Sequence, residues 1–172
     1  MKRAISFLEK IKTTDEIVVI FNNDGDGISS CVLLNKFLEK TGRKKPYIIP
    51  QPMPMDKNII QRIQTTVPDK LIFLDIAADQ QQNVLKKLGS ICDMMIVDHH
   101  QVFKDMNGKN IVHYNPRIET HGVYRSTSYC VYKICSKIID MSDLLWIAGV
   151  GMVSDYNLDD SKDLVKELKK NY

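Results

Sequence analysis

Four clusters of acidic, amide and imidazole side chains each follow an apolar segment, and these side chains can bind divalent metal ions. The clusters are Asn22-Asn23-Asp24-Gly25-Asp26-Gly27, Asp75, Asp98-His99-His100 and Asp155. Carboxylate oxygens combined with imidazole nitrogens suit manganese, magnesium or iron better than ions that prefer thiolates. If the clusters meet in space, the chain is predicted to be a hydrolase that uses two metal ions.

The first cluster also permits other interpretations. The pattern from Asn22 to Gly27 matches the front half of an EF-hand calcium loop. Such a loop needs a carboxylate at its twelfth position, which here is Leu33, and a helix in front, where this chain has a β-branched segment. Asn, Asp and Gly are also common turn residues, and Asp26 could cap the following helix. The other three clusters favour the metal interpretation, because several carboxylates at one place repel one another unless cations are bound.

The elements that must position these clusters alternate between strands and helices. The predicted strands are 16–21, 47–49, 70–74, 94–97 and 111–114, and the predicted helices are 6–12, 28–40, 56–66, 80–88, 126–139, 143–153 and 161–170. Asp56 and Ser126 are the predicted N-caps of their helices, and Gly42 is a predicted C-cap. The alternation predicts an α/β fold with a mainly parallel sheet of about five strands and helices on both faces. Because parallel strands open onto one crevice at their carboxyl ends, the clusters are expected to meet there.

Composition limits the class of protein. The chain has 172 residues, which fits a single domain, 1–172. Its net charge of +3 is weak evidence about partners, because a dedicated nucleic-acid binder is usually more basic. Its four cysteines form no C-x-x-C pair and are predicted to be reduced structural thiols: Cys31, Cys92, Cys130 and Cys135. No apolar run reaches the roughly 18 residues of a membrane span. These features predict a soluble, cytoplasmic protein that does not interact with membranes.

Together, the four clusters resemble the four motifs of the DHH phosphoesterase family. The matching parts are Asp24-x-Asp26-Gly27 after the first strand, the isolated Asp75, Asp98-His99-His100 and the downstream Asp155. The resemblance covers roughly residues 16 to 156. The family includes RecJ-type exonucleases specific for single strands, phosphodiesterases of small oligonucleotides and cyclic dinucleotides, and manganese-dependent pyrophosphatases. It implies a phosphoesterase that hydrolyses phosphodiester bonds of single-stranded nucleic acid or oligonucleotides.

The resemblance also implies a role for each residue. The implied cofactor is a pair of Mn²⁺ ions, with Mg²⁺ as the alternative. The implied metal ligands are Asn22, Asp24, Asp26, Asp75, His99 and Asp155. Asp24 and Asp75 would hold one ion, while Asp26, Asp75, His99 and Asp155 would hold the other, so that Asp75 bridges the pair. The implied catalytic residues are Asp98, which orients a neighbouring imidazole, and His100, which faces the substrate phosphate.

Two arginines are candidates for substrate contact. Asn115-Pro116-Arg117 and the segment from Tyr124 to Tyr129, which contains Arg125, are similar to archaeal family members of the RecJ type. The planar guanidinium of Arg117 or Arg125 can donate two parallel hydrogen bonds to a phosphate. The alternative is that both are ordinary solvated surface residues.

The sequence departs from the family pattern in two respects. Asn22 stands where the first motif usually has His or Asp, and a neutral amide is a poorer metal donor. The family's usual C-terminal substrate-binding domain is expected to be absent from this chain. Both features favour a second hypothesis, a weak or inactive scaffold module of the replication machinery with a replication or repair protein as partner. A pyrophosphatase is less expected, because no lysine and arginine clamp for a small polyanion is evident.

Overall fold

The structure is a computed structural model that describes residues 1–51, 55, 57–120 and 122–172. Its strands are β1 Ile17–Phe21, β2 Tyr47–Pro50, β3 Lys70–Leu74, β4 Asp93–Val97 and β5 Ile111–Tyr114. They form one sheet in the order β2-β1-β3-β4-β5, and every pair of neighbours is parallel. The α/β prediction is confirmed, and the sheet is parallel throughout.

Helices cover both faces of this sheet. They are α1 Lys2–Glu9, α2 Gly25–Lys40, α3 Lys57–Thr66, α4 Gln82–Leu88, α5 Pro116–Glu119, α6 Thr127–Cys135, α7 Leu145–Ser154 and α8 Lys162–Asn171. Successive strand residues point to opposite faces. Val19 and Phe21 therefore pack with α1, α2, α6 and α7, whereas Val18 and Ile20 pack with α3 and α4. A strand buried on both faces needs a continuous apolar run, which is what β1 has.

The register of the central strands brings the functional clusters to one level. Phe21 of β1 pairs with Leu74 of β3, and Leu74 pairs with Val97 of β4, so the three strands end side by side. Each strand is followed at once by a cluster residue: Asn22, Asp75 and Asp98. The backbone ladder continues by one step, since Asn22 N donates to Leu74 O and Asp75 N donates to Val97 O. The expected meeting point at the carboxyl edge is therefore built by strand register.

Several helices differ from their predicted bounds. Helix α2 begins at Gly25 and not at 28, because the Asp24 carboxylate caps it by accepting a hydrogen bond from Gly27 N at 2.9 Å. Ser126 caps α6 as predicted, accepting from Tyr129 N at 3.3 Å, although that helix ends at Cys135. The first helix lies at Lys2–Glu9, earlier than the predicted 6–12. The short helix α5 was not predicted. The predicted cap Asp56 lies outside the described residues.

The described part of the chain also bears on the cysteines and on membrane insertion. All four cysteines are free and buried, and burial raises the pKa of the Cys31 thiol to about 12. Such thiols are unreactive at neutral pH, which agrees with a structural role.

None of the helices in the described ranges combines the length and the apolar content that crossing a membrane requires.

Candidate metal centre

Asp75 lies at the centre of the cluster and joins three parts of the chain. It is buried, with 2% exposure, and its φ of 59° lies in the left-handed region that Asp tolerates better than most residues. Its Oδ1 accepts a hydrogen bond from Thr127 Oγ1 at 3.1 Å and lies 3.1 Å from His99 Nε2. Its Oδ2 lies 3.4 Å from Asn22 Nδ2. Residues that follow β1, β3 and β4 therefore meet at this carboxylate.

His99 lies between two carboxylates. Its Nε2 contacts Asp75, and its Nδ1 is 3.4 Å from Asp155 Oδ2. The second contact lacks hydrogen-bond geometry, so this buried Nδ1 has no hydrogen-bond partner among the described residues. Burial would lower the pKa of His99, but the hydrogen bond with Asp75 and the charges of both carboxylates raise it. An unpartnered buried ring nitrogen beside a carboxylate fits the role of a metal ligand.

Asp26 is held rigidly by the first residues of helix α6. Its Oδ2 accepts from Thr127 N at 2.6 Å, and its Oδ1 accepts from Ser128 N at 3.0 Å. Burial, followed by the nearby charge of Asp75, raises the pKa of Asp26 to about 6. Removal from water and a neighbouring carboxylate both disfavour its ionised form. A bound cation would favour that form, so this pair of acids also fits a metal centre.

Asn22 and Asp24 lie at the exposed side of the cluster. Asn22 Nδ2 donates to the Asp24 carboxylate, which at the same time caps α2. Burial raises the pKa of Asp24, and the charge of Asp75 adds to the rise. The Asn22 amide therefore presents its nitrogen to the two carboxylates in this structure, and a ligand role would require its oxygen.

His100 is the most exposed imidazole of the cluster. Its side chain is 44% exposed, and its Nδ1 lies 2.7 Å from Asp98 Oδ1. The hydrogen bond with Asp98 raises the pKa of His100 to about 9, against the opposing effect of burial. The Asp98 carboxylate thus favours the protonated imidazole, which can donate a hydrogen bond through Nε2. Asp98 thus contacts one of its two neighbouring imidazoles, and its orienting role stays a prediction.

Two groups of described residues bring their ligand atoms within 4.8 Å of one another, and both contain His99. They are Asp75, His99 and His100, and Asp26, His99 and Asp155. The sequence interpretation gave the shared position to Asp75 and gave His100 a role toward substrate alone. In the structure His99 is the residue common to both groups, and His100 lies close enough to Asp75 to act as a ligand. The bridging role of Asp75 stays a prediction.

The structure separates the two candidate arginines. Arg117 Nε donates to His99 O at 2.9 Å, and its guanidinium lies 5.3 Å from the centre of the Tyr124 ring. Arg125 instead donates to Asp160 O at 3.4 Å and lies over the Tyr129 ring at 5.0 Å. Arg117 therefore contacts the backbone of a cluster residue, whereas these two contacts of Arg125 involve no cluster residue. The role of both arginines toward substrate stays a prediction.

Two residues of the site were missed by the sequence analysis. The Tyr124 hydroxyl donates to Asp155 Oδ2 at 2.7 Å, and its ring lies 5.0 Å from that of His99. Thr127 binds Asp26 through its backbone N–H and Asp75 through its hydroxyl. The signal for Thr127 was the polar run Ser126-Thr127-Ser128 at the start of an apolar helix, where backbone donors are free to bind carboxylates.

Manganese is expected to stabilise the chain against heat. Ions that bind only the native state add about 2.7 kcal/mol at a concentration of 100 Kd. For a chain of this length, that corresponds to a rise in Tm of roughly 5–10 °C. Thermal unfolding in EDTA and in manganese measures the effect, and the Asp26→Asn variant, which lacks one buried negative charge, should show a smaller rise. Equal Tm values for the wild type in both conditions would contradict a metal centre.

Comparisons with known proteins identify the family and the fold. The model of the DHH family, N-terminal domain, matches residues 16–156. No curated protein matches the chain. Among solved structures, exonuclease RecJ bound to manganese is 18% identical with a TM-score of 0.78, and covers 96% of this chain and 46% of that chain.

Two further structures share the fold. RecJ in complex with Mn²⁺ from Thermus thermophilus is 17% identical with a TM-score of 0.73, over 96% of this chain and 26% of that chain. CDC45 from Entamoeba histolytica is 16% identical with a TM-score of 0.72, over 97% of this chain and 38% of that chain. The chain thus spans less than half the length of each of these proteins.

Proposed function

The chain belongs to the DHH family, and from this we propose that it is a manganese-dependent phosphoesterase acting on single-stranded nucleic acid or oligonucleotides. One observation carries the proposal. Carboxylates and imidazoles that follow β1, β3 and β4, together with the carboxylate of Asp155 at the end of α7, form two ligand groups that share His99. These donors suit Mn²⁺ and also Mg²⁺. Manganese is the proposed ion, because the structures of RecJ with this fold were obtained with it.

The chain's own residues would hold the reacting groups in place. When bound, two divalent cations activate the attacking water and neutralise charge on the phosphoryl oxygens. Asp26 and Asp75 already accept hydrogen bonds from Thr127. His99 contacts Asp75 through Nε2, and its unpartnered Nδ1 lies 3.4 Å from Asp155 Oδ2. Groups that are already in position need not reorganise during the reaction, so they stabilise the charge that develops in the transition state at little cost in free energy. We therefore assign the metal ligands to Asp24, Asp26, Asp75, His99 and Asp155, with Asn22 as a weak sixth.

His100 and Arg117 are the proposed donors to the substrate phosphate. Asp98 binds His100 Nδ1, which leaves Nε2 free to donate to a phosphoryl oxygen. Arg117 uses only its Nε for the backbone of His99, so its terminal nitrogens can contact a phosphate in the fork geometry that guanidinium groups favour. Arg125 is not included, because neither its hydrogen bond to Asp160 nor its contact with the Tyr129 ring involves a proposed metal ligand.

We expect His100→Ala to reduce kcat by roughly 10²–10³, the effect of losing one donor to a developing oxyanion. Bound manganese should stay at the wild-type amount. The measurement is kcat for a short single-stranded oligonucleotide, with metal content determined on the same preparation. Loss of manganese in this variant would instead make His100 a ligand, the role that its place beside Asp75 and His99 also permits.

The second candidate function is a scaffold that acts through protein contacts. Two observations favour it. Asn22 supplies a neutral amide at the first motif, and α7 leaves three large apolar side chains exposed along its length: Trp146, Val150 and Val153. Exposed apolar surface of this kind is typical of protein interaction sites. Hydrolysis by the manganese-loaded wild type separates this candidate from the enzyme.

A further inference from the structure

Helix α7 ends in a hydrogen-bond pattern that places a tyrosine where helices usually have a glycine. Tyr156 N donates to Val153 O at 3.1 Å, and Asn157 N donates to Met152 O at 2.8 Å. These two bonds define a Schellman motif with Tyr156 at the left-handed position, and its φ is 52°. A side chain with a Cβ is unfavourable there, because the Cβ crowds the following carbonyl oxygen.

The rest of the chain does not offset this cost. Tyr156 is 95% exposed, so its ring gains almost no packing from folding. The equivalent position after α2 is Gly42, with a φ of 68°, which is the usual choice. Residues held in strained conformations without a packing benefit are typical of functional sites. We infer that the Tyr156 ring contacts something outside the chain.

The position of Tyr156 indicates what that contact is. It directly follows Asp155, whose Oδ2 is 3.4 Å from His99 Nδ1. Consecutive Cα atoms are roughly 3.8 Å apart, so the backbone of Tyr156 lies next to a residue of the metal centre while its ring is open to solvent. A nucleotide whose phosphate lies at that centre would have its base within reach of the ring.

We propose that Tyr156 forms a stacking subsite for a nucleobase adjacent to the phosphate being hydrolysed. The proposal rests on the proposed action on oligonucleotides. Aromatic side chains stack on every base, because each base has a π-face, and this gives affinity without sequence preference. The Schellman motif holds the backbone of Tyr156 by two hydrogen bonds, so the ring is presented from a fixed backbone, which limits the entropy lost on binding.

The test compares Tyr156→Gly, which removes the ring and relieves the strained backbone, with Tyr156→Phe, which keeps the ring. Trp146→Ala is the matched control, since Trp146 is 51% exposed at the other end of α7, roughly 15 Å away along the helix. Two ligands are used: a fluorescent single-stranded oligothymidylate with phosphorothioate linkages that slow hydrolysis, and the same strand with abasic sites. Dissociation constants with manganese come from fluorescence anisotropy, and thermal unfolding is measured in parallel.

Tyr156→Gly should weaken binding of oligothymidylate by roughly 5- to 100-fold and leave binding of the abasic strand unchanged. Its Tm should rise, because glycine relieves the strain. Tyr156→Phe and Trp146→Ala should bind as the wild type does. Unchanged affinity for oligothymidylate in the glycine variant, or an equal loss for both strands, would overturn the subsite. A wild type that binds oligothymidylate without hydrolysing the ordinary strand would refute the proposed enzyme, whereas a loss of affinity in the glycine variant for oligothymidylate alone would still support base stacking by Tyr156.

Discussion

Asp75→Asn is expected to remove both manganese ions and to abolish measurable hydrolysis, if Asp75 bridges the ions as predicted; only one of the two ligand groups contains this residue. The carboxylate contacts His99, Thr127 and Asn22, and it is the predicted bridge between the ions. Loss of a residue that only supports a ligand costs 10- to 100-fold in metal affinity, so loss of a shared ligand should cost about 100-fold or more. Asparagine has the same shape and tolerates the left-handed backbone of this position. The fold should therefore persist.

The control for this variant is Asp93→Asn at the opposite end of β4. Asp93 pairs with Lys70 at 2.7 Å and its side chain is 50% exposed, so its loss should change metal binding and activity little. Isothermal titration with manganese gives stoichiometry and affinity for both variants. If Asp75→Asn still binds two equivalents as the wild type does, the bridging assignment is wrong.

Gly27→Ala is expected to reduce both stability and metal affinity. An added Cβ would lie 2.1 Å from Asn22 O and 2.8 Å from Asn22 C. Both atoms belong to the backbone, so no side chain can turn away, and the segment from Asn22 to Gly27 must shift. Such overpacking costs about 1–3 kcal/mol, and occasionally more. Since this segment carries Asp24 and Asp26, its displacement should also weaken manganese binding.

Gly108→Ala is the matched control, because the nearest atom to its added Cβ is Met106 O at 3.8 Å. Urea unfolding without metal measures the stability of each variant, and manganese titration measures the effect on the site. Identical behaviour of Gly27→Ala and Gly108→Ala in both experiments would refute the close approach on which the prediction depends.

Much of the fold and several of the candidate residues could be predicted from local signals. The continuous β-branched run of β1 indicates a strand buried on both faces, and a residue that follows such a strand lies at the carboxyl edge of the sheet. Asp75 and Asp98 could be placed at this edge by the same reasoning. That the three strands end side by side depends on the pairing of Phe21 with Leu74 and of Leu74 with Val97. The sequence pattern predicts the strands but not this register.

Other parts of the site depend on contacts between distant residues. Thr127 is 101 positions from Asp26, which its N–H binds, and no periodicity connects the two. Arg117 and Arg125 look alike in sequence, and only the packing of Arg125 near Asp160 and Tyr129 distinguishes them. The strain at Tyr156 is a property of its backbone angle, because tyrosine is not a residue from which a left-handed conformation is expected.

The most direct test of the account is hydrolysis of a single-stranded oligonucleotide by the wild-type chain during a manganese titration, with bound metal counted in the same samples. The account predicts two bound equivalents and turnover that rises as the second ion binds, because both ligand groups are needed for the reaction. Two bound equivalents without turnover at any manganese concentration would contradict the enzyme and support the scaffold. Absence of bound manganese would contradict the metal centre itself.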